Sequence, residues 1–358
     1  MKFFKFLRTA AFCAGFLVAS MQAMGQEVTT LFAHGLGGGS NHGEHCRYNH
    51  RSGKGFIEGA LEVFDFEDSS AHPRWKKKPS CLAQEGDMRC LQGAYHAIAS
   101  EGRPVILAGV SRGAATILNF MGTAPAQDVR QVRALVLESP FDKLKSILEY
   151  KFGFIGEMPG IEYAAKRIAL GGYNPNGIQP IQVVDKISKD IPILLICSKQ
   201  DGLIPSSSTI NLYRKIVESG HTRAHLLELE RGPHANLPWG ENGGIYRNVV
   251  HAFYRHYNLP YNREAALAGQ EQFARTQPTL DAPHIQPKIT RPLLTRARAW
   301  VRNNASTLAV IGAVVVACKY RKELSTLAYK CKNQLSAALS KNNLRGLLNW
   351  TRTSVRTL

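Results

Sequence analysis

The chain has 358 residues, 44% of them hydrophobic and 20% charged, enough to bury the core of one large domain or two modest ones. Its formal net charge of +18 invites a nucleic-acid reading, but the charge is segregated: residues 261–358 hold 16 Lys and Arg against 4 Asp and Glu, supplying +12, and residues 1–25 supply +3, which leaves +3 for residues 26–260. Aromatic residues are not interleaved with the basic ones as a base-stacking platform requires, so no nucleic-acid partner is expected.

Residues 1–25 carry Lys2, Lys5 and Arg8, then an apolar stretch over 9–18 and a small-residue exit at Ala23-Met24-Gly25. That pattern predicts a signal peptide and an exported protein, periplasmic or secreted. Of the seven cysteines, Cys81 and Cys90 could then close a short loop, with Cys46 as a competing partner, or all three could stay free. Cys197 sits in an apolar strand and reads as core.

Strand and helix alternate from 28 to 257. Buried-strand patterns fall at 28–33 (VTTLFA), 61–66, 105–110, 133–137, 191–197 and 224–229; helical spacing appears at 88–100, 114–120, 209–218 and 244–256. Such alternation predicts a mostly parallel, doubly wound sheet covered on both faces. Residues 141–190, long, aromatic and rich in Gly and Pro, break the alternation and read as a short lid insertion. Residues 261–292, with prolines at 278, 283, 287 and 292, read as a linker. Residues 293–358 read as a basic helical tail, with an uncharged run at 305–318 expected as a membrane helix and an amphipathic helix beyond it.

The chain is organised around 104–120, PVILAGVSRGAATILNF. Gly109-Val110-Ser111-Arg112-Gly113 fits the G-x-S-x-G turn, in which a serine stands on a sharp strand-to-helix bend. Residues two before and two after the serine would collide across that bend, hence glycine at both. Asp201 follows the fifth strand in Asp201-Gly202-Leu203-Ile204-Pro205, and His234 follows the sixth in Pro233-His234-Ala235-Asn236. Both lie where open parallel sheets place their ligands. In this order and placement the sequence resembles the α/β-hydrolase superfamily over residues 28–257.

The resemblance implies Ser111 as nucleophile, His234 as general base and Asp201 as the acid that orients the imidazole. Glu138 or Asp142, after the preceding strand, is the substitute acid. It implies an oxyanion hole made by the Arg112 amide and, in the His34-Gly35-Leu36-Gly37 turn, the Leu36 amide, with His34 structural. The expected activity is a serine hydrolase acting on a carboxylic ester or thioester, a small or lipid-like acyl substrate, with no cofactor. The runner-up is a peptidase of the same fold, and the alternative from another class is a non-catalytic, membrane-tethered binding protein. His42, Glu44, His45, Cys46 and His50 share one Gly-rich loop whose spacing could reach a zinc ion; with no matching pair elsewhere, the loop reads as a polar rim to the site and no metal is expected.

Overall fold

The computed structural model describes residues 27–277 except 50, 70–71, 73–78 and 169. The expected signal peptide, the membrane and amphipathic helices of the tail, and His50 lie outside the described residues. Among the described residues no helix is long and apolar enough to cross a membrane.

Six parallel strands form one sheet: β1 Thr29–Ala33, β2 Ala60–Val63, β3 Val105–Val110, β4 Val132–Glu138, β5 Ile193–Ser198 and β6 Ala224–Leu229, in the spatial order β2-β1-β3-β4-β5-β6. The strand predictions hold to within about three residues at each end. The largest difference is the second strand, expected to reach Phe66 but ending at Val63. Its last residues leave the ladder because Asp65 turns to accept the Ser40 amide and the Phe66 amide bonds to His34 Nε2.

The apolar runs of β1, β3, β4 and β5 are buried throughout because alternate side chains enter two cores. Leu31, Val105, Leu107, Leu135 and Leu195 face one core; Phe32, Ile106, Ala108, Val136 and Ile196 face the other. The first core is covered by α2 (Glu85–Ala99), α3 (Arg112–Thr123) and α6 (Ser206–Glu218). The second is covered by α7 (Gly243–His256), while α1 (Asn41–Cys46) contributes Cys46 to it. Helix α3 is buried from Arg112 to Gly122, as a helix wedged between sheet and neighbours must be.

The insertion after β4 holds α4 (Leu144–Phe152) and α5 (Ile161–Ile168), which form a third small core with Phe141, Leu170 and Tyr173 against Ala115 of α3. Gln84 fastens this lid by accepting the Asn174 amide and donating to its carbonyl. The lid is shorter than the expected 141–190: Val184 and Ile187 belong to the main core, and the Val183 backbone crosses Gly122 closely.

The linker expected from 261 begins later. Helix α8 (Arg263–Ala274) opens with Asn262 accepting the Ala265 amide and packs along α7, with Ala266 buried and Gly269 against the Asn248 carbonyl. Beyond it, the Leu226 amide of β6 donates to the Thr276 carbonyl. The four prolines that suggested a linker all lie after Gln277, whereas 263–274 contains no proline and several good helix formers. A Cβ at position 269 would stand 2.1 Å from the Asn248 carbonyl oxygen. Gly269→Ala is therefore expected to lower stability by about 2 kcal/mol, or several degrees of Tm, measured by thermal melting.

Candidate active site

The described cysteines (Cys46, Cys81, Cys90 and Cys197) are all free thiols, so neither pairing of Cys81 is formed. Cys81 lies over Gly86 and Gly172, while Cys90 packs against the main core and bonds with the Glu67 backbone.

At the carboxyl edge of the sheet, β3 ends in a bend that gives Ser111 φ 55° and ψ −117°. This is a region that non-glycine residues enter only under strain, costing on the order of 1–3 kcal/mol. Close packing holds the bend. A Cβ at position 113 would lie 2.0 Å from the Ala33 carbonyl oxygen, and one at 109 would lie 2.9 Å from the Ala114 amide nitrogen. Glycine is thus required at both positions. The Ser111 amide donates to the Glu138 carbonyl at the end of β4, which fixes the bend from the other side.

The structure brings Ser111, His234 and Asp201 together. His234 Nδ1 donates to Asp201 Oδ2 at 2.7 Å, which leaves Nε2 to accept the Ser111 hydroxyl at 2.9 Å. Asp201 is buried, and its other oxygen accepts the amides of Leu203 (2.8 Å) and Ile204 (2.9 Å). Burial alone would raise its pKa, but the bonds from His234 and these amides, with the imidazole's charge, outweigh that and hold it below the usual carboxylate range. Asp201 is thereby kept ionised where it can hold one imidazole tautomer.

The two substitute acids are engaged elsewhere. Asp142 accepts from Ser208 Oγ, Asn211 Nδ2 and the Lys143 amide. Glu138 is fully buried, accepts the Leu237 amide at 3.2 Å and bonds with the Tyr246 hydroxyl. Desolvation pushes its carboxyl up to about 7 against those bonds and the positive influence of His234.

Gly35 lies against the elbow, its missing Cβ 3.6 Å from Ser111 Cβ, so the turn containing Leu36 borders Ser111. The Arg112 amide opens α3, and an amide at that position has no partner within the helix. His34 is buried and its pKa is lowered by that burial; Nδ1 donates to the Gly35 carbonyl and Nε2 accepts from Phe66, so it braces the turn as a neutral ring.

The Arg112 side chain is the feature that sequence reasoning missed, having used only its amide. The guanidinium is 1% exposed and forks onto Asp87 with two 2.6 Å bonds, meets Asp68 at 2.6 Å and lies over the Phe66 ring at 4.2 Å. Burial opposes its charge, but the two carboxylates outweigh this and raise its pKa above the ordinary value. An arginine beside the serine hinted at such a clamp; nothing local in the sequence pointed to Asp68 or Asp87.

On the segments beside these three residues, apolar and aromatic side chains are exposed. Leu36 is 51% exposed, Leu203 39% and Tyr150 48%, and Tyr150 donates its hydroxyl to the Asp201 carbonyl. In the neighbouring loop His42 packs edge-on to Phe32 and tilts toward Trp239, and burial raises the Cys46 thiol well above its usual pKa. Among the described residues no group of three or more His, Cys, Asp or Glu is placed to hold a metal ion.

No family model matches the chain. An 88-residue stretch is 39% identical to the uncharacterized protein YqkD of Bacillus subtilis (strain 168), so the chain spans about a quarter (27%) of this curated relative, and the match takes in 25% of the chain itself. Among solved structures, an esterase from Pyrococcus furiosus is similar at 15% identity and TM-score 0.48, over 65% of this chain and 83% of that one. The acylaminoacyl peptidase of Pyrococcus horikoshii is similar at 13% identity and TM-score 0.45, over 66% of this chain and 38% of that one. The architecture is legible without them: a parallel sheet in the order β2-β1-β3-β4-β5-β6, a strained serine between β3 and α3, an aspartate after β5 and a histidine after β6. By that sheet order and by what stands at its carboxyl edge, the described chain has the α/β-hydrolase fold.

Proposed function

We propose that the protein is a serine hydrolase that cleaves a carboxylic ester or thioester through an acyl-serine intermediate. The observation that carries this reading is the unbroken relay from Asp201 through His234 to a strained Ser111, with contacts of 2.7 and 2.9 Å. A neutral hydroxyl is too weak to attack a carbonyl unaided. As Ser111 Oγ bonds to the acyl carbon, its proton passes to His234 Nε2, and the Asp201 carboxylate supports the imidazolium that results. The carbonyl oxygen becomes an oxyanion facing the Leu36 and Arg112 amides, each contributing roughly 3 kcal/mol. The leaving group departs with the proton from Nε2; water then attacks the acyl-serine by the same steps and frees the acid. The exposed Leu36, Leu203 and Tyr150 favour an apolar acyl group over a charged one.

Labelling of the full chain with a fluorophosphonate probe tests this reading. The wild type is expected to label and Ser111→Ala to lose labelling completely. His234→Ala and Asp201→Asn should label about 10³-fold or more slowly, since each breaks the relay that activates the hydroxyl. A folded wild type that does not label would return the chain to the binding-protein reading. Parallel assays with a short-chain ester and the matching amide divide esterase from peptidase, the ester being the faster substrate here.

Export and attachment to a membrane through residues 278–358 belong to the same proposal, on the strength of the basic and apolar patterning of the two ends. Ending the chain at Gln277 keeps α8 and its bonds to β6. Such a truncation is expected to keep its turnover of a soluble ester and to leave the membrane fraction. Lost turnover would make the tail part of the catalytic unit.

A further inference from the structure

Glu138 is a buried carboxyl that the relay does not use, yet it is bonded on two sides to parts that do. It closes β4, in register with Val110 at the end of β3. Its backbone carbonyl accepts the Ser111 amide at 2.8 Å, while its Oε1 accepts the Leu237 amide, three residues beyond His234. One residue therefore holds both the strand end that carries the nucleophile and the loop that carries the base. That loop needs a tie of this kind. Ala235, next to His234, has φ 57°, a left-handed conformation that a non-glycine residue keeps only when its surroundings hold it.

The groups that face the carboxyl come from four elements. His234 and the Leu237 amide lie on the loop after β6, Asp201 follows β5, Tyr246 stands on α7 and Cys46 on α1. Tyr246 and Cys46 are neutral, since burial and the nearby carboxylate both raise their pKa values. The two groups able to sense or supply charge are thus Asp201, which disfavours ionisation of Glu138, and a protonated His234, which favours it.

Resting on the serine-hydrolase reading, we propose that Glu138 is a positioning residue: its carboxyl seats the His234 loop against the nucleophile strand and, when ionised, supports the imidazolium that forms as Ser111 attacks. Reciprocity requires the second half. If a charged imidazole favours the carboxylate, the carboxylate favours the charged imidazole by the same free energy. Because desolvation raises Glu138 to about 7, its charge is absent in mild acid and present above neutrality. Its electrostatic help therefore switches on with rising pH, whereas its hydrogen bond to Leu237 needs only an oxygen that accepts.

Those two parts separate by substitution. Glu138→Gln keeps an acceptor for the Leu237 amide without the charge; Glu138→Leu removes both. The measurement is the second-order rate of fluorophosphonate labelling between pH 5.5 and 9. In that reaction Oγ bonds to phosphorus, fluoride leaves and the Ser111 proton passes to His234 Nε2, so no substrate need be known. The ratio of wild type to Glu138→Gln is expected to be near one at pH 5.5 and to climb to about fivefold at pH 9, equivalent to about 1 kcal/mol of barrier, with its midpoint near neutrality. Glu138→Leu should be slower than both at every pH; should it fail to fold, Glu138→Gln decides alone. A ratio that stays at one, or falls below it, across the range overturns the proposal while leaving the serine-hydrolase reading intact. A folded wild type that does not label overturns both.

Discussion

The closeness with which α3 is pressed against β1 is the constraint on which the carboxyl edge of the sheet depends. No side chain fits between Gly113 and the Ala33 carbonyl, where even a Cβ would sit at 2.0 Å. With α3 that near, the chain can pass from β3 into the helix only through a bend, and the residue at its apex must accept a positive φ. Ser111 takes that position. The strain, on the order of 1–3 kcal/mol, is outweighed by a helix buried from Arg112 to Gly122 between the sheet, α2 and the lid. In return the hydroxyl stands clear of the strand, with the first amide of α3 next to it.

A second constraint keeps the bend from relaxing sideways. Arg112 brings a full positive charge into the interior, a cost of several kcal/mol that only close and well-oriented carboxylates offset. Asp87 and Asp68 meet it at 2.6 Å from two different segments, one within α2 and one after β2. Phe66, under the guanidinium, also packs edge-on against His34, whose ring holds the Gly35 carbonyl. One guanidinium thus connects the start of α3 to the turn carrying Leu36. The start of α3 and the turn carrying Leu36, which supply the two amides of the proposed oxyanion hole, are thus tied to one another instead of standing as two independent loops, as fixed dipoles that act on a developing charge without reorganising require.

Most of this was legible in the sequence where the signal is local. Strand cores and the elbow follow from apolar runs and from glycine spacing, and Asp201 and His234 were singled out by the resemblance to the α/β-hydrolase superfamily, so the expected elements and the observed ones differ mainly at their ends. Three things were not legible, each for its own reason. Helix α8 was hidden by prolines that follow it: a composition window over 261–292 averages a helix with what comes after. The lid's end was misplaced because Val184 and Ile187 belong to the main core through contacts that only the folded chain brings about. The partners of Arg112 lie 44 residues before it, at Asp68, and 25 before it, at Asp87, and nothing in the local pattern marks those two carboxylates over others nearby.

The same reasoning explains why Asp201 and not Glu138 became the partner of His234, although both carboxyls feel the imidazole. Asp201 follows β5 in a turn whose next two free amides, Leu203 and Ile204, point back at Oδ1, so three donors converge on it once His234 is counted. That set outweighs desolvation and the group remains ionised. Glu138 sits one strand nearer the centre of the sheet, entirely out of water, with one amide and one phenol as donors. Two donors do not outweigh complete desolvation, and the carboxyl is raised toward neutrality. A group so poised is a poor permanent counter-charge but a sound tie for a loop, because its bond to Leu237 survives protonation. The division of labour between the two acids follows from how many donors the backbone brings to each, and that number is set by where each strand ends.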